Sequence, residues 1–283
     1  MSQVKSFTQL LEIFSSFLLI IGILGCNSVE KRISDATTIA ASHGFKESSY
    51  QTSSFTLYGQ EKITQPDTGI VHVYIEGDGF SWASSGEPSR DPTPTNAIGL
   101  RLAAQDPYPN VVYIARPCQF NKEVNKALCH QIVWTDERMS QQALTSFSEA
   151  LDSLCRAHSF KKIVVFGYSG GGGIAALLAV RRKDIIQVIT IAGVLDHVRW
   201  TNHYHLRPLK GSLNPIDYAE QLKDIPQTHF VGDEDEVVPL FLTEGYIRAL
   251  GSSSKARLIV IKNQNHYSGW EKQRIILDSV ELK

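Results

Sequence analysis

Gly167-Tyr168-Ser169-Gly170-Gly171 is the segment of this chain best suited to covalent chemistry. It follows the apolar run 162–166 directly and precedes a run of small and aliphatic residues that starts near Gly172. A serine between glycines at a strand-to-helix junction sits on a sharp turn, with its hydroxyl standing clear of the backbone. The Gly170 N–H would then point at the oxygen that becomes negative when a carbonyl is attacked. Two other readings fit the same letters, a Gly-rich turn or a phosphate loop at a helix N-terminus. Neither a Walker Lys-Ser/Thr nor a G-x-G-x-x-G accompanies them, so a nucleophile is the expectation.

A serine hydroxyl needs a base, and the base needs an acid to orient it. The segment Gly232-Asp233-Glu234-Asp235-Glu236-Val237-Val238-Pro239 supplies the acid. Its pattern G-x-x-D-x-x-V-P selects Asp235, with Asp233 as the fallback and Glu234 and Glu236 as solvated neighbours. Of nine histidines, His266 lies between the last apolar run and the last helical stretch, where an imidazole could take the Ser169 proton. His203 and His205 form an H-x-H pair in a polar loop, but no third ligand at metal spacing accompanies them, so no metal site is expected. His72 alternates within an apolar run and reads as a core residue. A second oxyanion donor is expected in Glu76-Gly77-Asp78-Gly79-Phe80, with the Asp78 amide first and Gly79 next.

These residues need a scaffold that brings the ends of several strands together. Short β-branched runs at 70–76, 111–115, 162–166, 186–192, 228–231 and 257–262 read as strands buried on both faces. Helical stretches are expected at 136–157, capped by Thr135, and at 172–182, 240–250 and 269–280. Residues 53–63 suggest an antiparallel strand ahead of the core. Such alternation implies a layered α/β fold whose site lies at the carboxyl ends of the strands.

Ser169 in its glycine frame, Asp235 in G-x-x-D-x-x-V-P and a final His266 resemble the α/β-hydrolase superfamily over most of residues 55–283. With Ala115-Arg116-Pro117-Cys118-Gln119, the E-G-D-G-F segment is similar to a subgroup of bacterial exported α/β-hydrolases. The resemblance implies a mostly parallel sheet flanked by helices, no cofactor, and esterase-like hydrolysis of a small-molecule or lipid-like ester; the sequence has no long insertion for a large separate lid. Glu76 stands where such enzymes commonly carry His. The superfamily also holds peptidases, acyltransferases and catalytically silent binding or assembly proteins, and those readings stay open.

The chain has 283 residues with 28 Lys and Arg against 29 Asp and Glu, a balance unlike that of a nucleic-acid binder. Residues 13–24 are apolar and uncharged, about the length of a signal-peptide core and short of a membrane span. Ile23-Leu24-Gly25-Cys26 resembles a bacterial lipobox, so residues 1–25 are expected to be a signal peptide of lipoprotein type. Cys26 is then the lipid attachment site, residues 26–54 a polar tether, and the protein exported and membrane-anchored. In that compartment Cys118 and Cys129 are expected to pair, and Cys155 to be a buried free thiol. Phe80, Trp82, Tyr168 and Trp134 are candidate pocket walls. Residues 195–224 could form a small cap, and Arg116 could receive a carboxylate or pair structurally.

Overall fold

The computed structural model describes residues 28–121 and 127–281. The expected signal segment 1–25 and the lipid site Cys26 lie outside the described residues. Among the described residues no helix is long and apolar enough to cross a membrane.

The chain opens with helix α1 (Val29–Ser42), strand β1 (Lys46–Gln51), β2 (Thr56–Ile63) and β3 (Ile70–Ile75). A small hairpin, β4 (Trp82–Ser84) and β5 (Glu87–Pro88), precedes α2 (Ile98–Gln105) and β6 (Asn110–Ile114). Then come α3 (Gln141–His158), β7 (Lys162–Tyr168), α4 (Gly170–Arg181), β8 (Ile185–Ile191) and α5 (His197–His203). The last elements are β9 (Gln227–Gly232), α6 (Leu240–Leu250) and β10 (Ala256–Ile261). The main sheet has eight strands in the order β1-β2-β6-β3-β7-β8-β9-β10. From β6 to β10 every pairing is parallel, whereas β1–β2 and β2–β6 are antiparallel.

The central strands β3, β6, β7 and β8 are buried on both faces, which their continuous β-branched runs demand. Helix α4 closes one face and is buried through most of its length. Its first turn is four glycines, a poor helix former at roughly 1 kcal/mol each relative to alanine. Packing of Ile174, Leu177 and Leu178 in the core under that helix offsets the deficit.

Three parts of the sequence reading are corrected. Residues 29–51 of the expected tether are ordered elements: α1 is capped by Ser28 and buries Ile33, Ala36 and Ala40, while β1 extends the sheet. Alanine makes a weak apolar signal, so the stripe is nearly silent in sequence. The helix expected at 136–157 begins at Gln141, because Ser140 and not Thr135 caps it, accepting from Ala143 N at 3.2 Å. Residues 136–140 turn instead, which frees Arg138 from a helix surface. The helix expected at 269–280 is two short 3-10 turns, separated at Gln273 by non-helical backbone.

Cys118 and Cys129 are disulfide-bonded, with Cα atoms 5.5 Å apart, and Cys155 is a partly buried free cysteine. Burial raises the Cys155 thiol pKa to about 11, which keeps it protonated and unreactive. Closing so short a loop constrains the unfolded chain by about 2–3 kcal/mol. Replacing both Cys118 and Cys129 by serine should therefore lower the melting temperature by roughly 5–10 °C, read by calorimetry. An unchanged transition would show that the bridge contributes nothing to stability.

Candidate active site

Ser169 stands at the junction of β7 and α4 with φ 51° and ψ −121°. A positive φ costs a non-glycine residue about 1–3 kcal/mol, and the surroundings must hold it. Here Ser169 N donates to Ile191 O at 2.9 Å, and Ser169 O accepts from Gly172 N and Val194 N. Any Cβ at Gly167 would overlap the Gly171 carbonyl, so that turn admits only glycine there. The helix thus begins at Gly170, two residues earlier than the sequence suggests.

The three side chains expected to act together converge. His266 Nε2 lies 3.1 Å from Ser169 Oγ, and His266 Nδ1 lies 2.8 Å from Asp235 Oδ2. All three residues are buried, at 8%, 4% and 5% exposure for Ser169, His266 and Asp235. Asp235 is itself fixed, because its Oδ1 accepts from Val237 N at 2.9 Å and Val238 N at 2.8 Å. Asp233, Glu234 and Glu236 are exposed, so of the four acids in this turn Asp235 alone faces the imidazole. The His266 carbonyl is held by two donors, Tyr168 Oη at 2.8 Å and Trp270 Nε1 at 3.0 Å. Trp270, fully buried, carried no signal in sequence because it acts only through this contact.

The loop after β3 lies against the Ser169 turn. A Cβ at Gly170 would collide with the Asp78 carboxylate, and one at Gly77 would come within 3.3 Å of Ser169 Cβ. Among the described residues neither the Asp78 nor the Gly170 amide has an acceptor in the protein. The Gly170 N–H follows Ser169 directly and the Asp78 N–H belongs to the loop packed on its turn, so both are available to an acceptor from outside the protein. The Asp78 carboxylate is engaged elsewhere. It accepts from Arg116 Nη1 at 3.0 Å and from Arg138 Nη1, which resolves Arg116 as a structural partner. Burial works to raise the Asp78 pKa, but the Arg138 and Arg116 charges overcome it and hold the carboxyl below its ordinary range.

Glu76 occupies the position where a histidine was expected from the resemblance. Its Oε1 accepts from Gly77 N at 2.9 Å and Gly99 N at 3.2 Å, and its Oε2 accepts from Tyr113 Oη at 3.1 Å. Helix α2 has no side-chain cap at Ala97, so Glu76, just past the end of β3, supplies the missing acceptor. Burial raises the Glu76 pKa above 4.5, opposed in part by the Gly77 and Gly99 amides. A carboxyl with a raised pKa binds its proton more tightly folded than unfolded. Its stabilising contribution is therefore greatest at low pH and declines as pH rises from the ordinary glutamate range through the raised value. Relative to wild type, Glu76→Gln should gain melting temperature between about pH 4 and about pH 8, because it removes that slope. A parallel shift at both pH values would refute this.

The site opens into a cavity of about 780 Å³ lined by Ser169, His266, Asp78, Trp82, Trp200 and Arg138, among others. Trp82 and Tyr168 are on its wall as expected, whereas Phe80 packs under Arg32 and Trp134 is in the core. Part of the 195–224 connection forms another wall through Trp200, His205, Leu206 and Leu209. His205 lies on that wall, while His203 packs edge-on against Phe241. His72 is buried, with Nδ1 2.7 Å from Asp106 Oδ2, as a core residue.

A parallel sheet led by antiparallel strands, with a strained serine between strand and helix at its carboxyl edge, defines the α/β-hydrolase fold. No protein-family model matches the sequence, and no curated protein matches it either. Solved structures do share the fold. An α/β serine hydrolase homologue from Coxiella burnetii is 15% identical, with a TM-score of 0.58 over 83% of this chain and 97% of its own. An esterase from Pyrococcus furiosus is 14% identical, with a TM-score of 0.55 over 78% of this chain and 82% of its own. An acylaminoacyl peptidase from Pyrococcus horikoshii is 12% identical, with a TM-score of 0.57 over 78% of this chain and 37% of its own. At such identities the likeness is one of fold, and the chemistry must be argued from the site.

Proposed function

We propose that this protein is an exported serine hydrolase of the carboxylesterase type, acting through Ser169, His266 and Asp235. The observation that carries the reading is the chain of contacts from Asp235 Oδ2 through His266 to Ser169 Oγ beside an open cavity. In this reading Ser169 Oγ attacks the ester carbonyl and His266 Nε2 takes its proton. Asp235 holds the imidazole with Nδ1–H toward it and stabilises the imidazolium. The Gly170 and Asp78 amides receive the developing oxyanion. His266 then protonates the departing alcohol, leaving an acyl group on Ser169. Water, deprotonated by the same imidazole, attacks the acyl carbonyl and releases the acid and the free serine.

The fluorophosphonate reaction tests this directly. The folded protein should acquire one phosphonyl adduct, mapped to Ser169 by peptide mass spectrometry, and neither Ser169→Ala nor unfolded protein should acquire it. Absence of labelling on the folded wild type would overturn the reading. Export and anchoring are proposed from sequence alone, with Cys26 as the acylated residue. A lipid-sized mass increment on the N-terminal peptide of membrane-extracted protein, lost in Cys26→Ser, is the expected result.

A further inference from the structure

The geometry points to a substrate that carries an anionic oxygen group, a carboxylate or a phosphate, bound by Arg138 in the cavity beside Ser169. This deepens the hydrolase reading above and rests on it. Arg138 lines the cavity although it is only 4% exposed, so its guanidinium is built into the wall. Its Nε donates to Thr135 O at 2.6 Å and its Nη1 to Asp78, but its Nη2 has no acceptor among the described residues. That nitrogen is not sealed in the interior, so it meets the cavity, where a ligand oxygen can reach it.

The other charged groups of the wall are engaged or face solvent. Asp78 is shared by two guanidinium groups, and Glu76 by two amides and Tyr113. Arg207 gives Nη2 to Asp136 at 2.7 Å and its side chain is 70% exposed, so water screens what its remaining donors could hold. Arg116 also serves Asp78, yet it does not line this cavity. Of the two arginines that share Asp78, Arg138 is therefore the one that can meet a ligand. A carboxylate or phosphate oxygen suits that nitrogen better than a neutral carbonyl, because it adds the attraction of opposite charges to a hydrogen bond that the guanidinium would make with either. The turn at 136–140 that replaces the expected helix is what aims this residue inward.

The test compares three 4-nitrophenyl esters of equal length whose far ends are a free carboxylate, a phosphate monoester or a methyl ester. Hydrolysis of each releases 4-nitrophenolate and the corresponding acid. Wild type should favour an anionic ester over the neutral one by about tenfold or more in kcat/KM, and the better of the two anions identifies the group. Because Arg138 also holds Asp78, Arg138→Gln will slow all three esters. The ratio between them isolates recognition, and it should fall to about one in Arg138→Gln and be partly kept in Arg138→Lys. A wild-type ratio of one or less, or a ratio unchanged in Arg138→Gln, overturns the proposal. Calorimetric titration of Ser169→Ala with non-hydrolysable amide analogues of the same compounds separates this proposal from the hydrolase reading. Preferential binding of an anionic analogue without turnover by wild type would sink hydrolysis alone. Equal binding of charged and neutral analogues would sink anion recognition alone. If Arg138→Gln does not fold, that titration by itself decides.

Discussion

Ser169→Ala is expected to lower kcat on an activated ester by about four to six orders of magnitude while leaving the protein folded. The side chain is small and its Oγ bonds within the described protein only to His266 Nε2, so truncation removes the proposed nucleophile without opening the core. His266→Ala should cost about as much, and the double variant little more, because groups that act as one unit are not additive. Asp235→Asn is a finer probe. Its Oδ1 can still accept from Val237 N and Val238 N, so the turn survives. Its amide nitrogen would then face His266 Nδ1, favouring the wrong tautomer and lowering kcat by about 10⁴-fold. Steady-state kinetics on 4-nitrophenyl acetate checks all four variants. Wild-type turnover retained in Ser169→Ala would mean that the reaction does not pass through this serine.

The second large effect is on stability. Asp78→Ala should destabilise the protein by about 3–5 kcal/mol, because it leaves two buried guanidinium groups without their shared carboxylate. The side chains of Arg116 and Arg138 are 5% and 4% exposed and that of Asp78 19%, so water does little to replace the lost partner. Asp78→Asn keeps an acceptor and should lose less. The measurement is the urea midpoint with the slope held constant, since a changed slope would signal a changed unfolded state. The depressed Asp78 pKa gives this contribution a sign in pH as well. The stabilisation is fully present above the ordinary aspartate range and is lost as pH falls through the lowered value. The gap between wild type and Asp78→Ala should therefore narrow in acid. A gap independent of pH would mean that the carboxylate charge is not what holds the two arginines.

How legible the protein is in its sequence depends on how local each signal is. Ser169 is legible because strand, glycine turn and helix follow one another directly between Lys162 and Arg181, and each leaves a mark in composition. Asp235 and His266 were legible because loops that follow late strands are short and polar. The choice among Asp233, Glu234, Asp235 and Glu236 followed the spacing of Val238 and Pro239, and the backbone of the same turn fixes it through Val237 N and Val238 N. Helix α1 escaped because its buried stripe is mostly alanine, and the closing 3-10 turns escaped because a helical apolar period does not distinguish one turn type from another.

The sequence by itself pointed to the central strands, to Ser169, Asp235 and His266 as side chains that come together, and to the cysteine pair, since each of these signals is local in the chain. Only the tertiary structure decided what stands behind them. Glu76 caps a helix that begins more than twenty residues later, Trp270 grips the His266 carbonyl, and Arg138 crosses from a turn before α3 to a carboxylate in the loop after β3. The physical reason is that burial makes these contacts matter. A guanidinium or carboxylate taken out of water must find a partner wherever the fold provides one, and no spacing along the chain records where that will be.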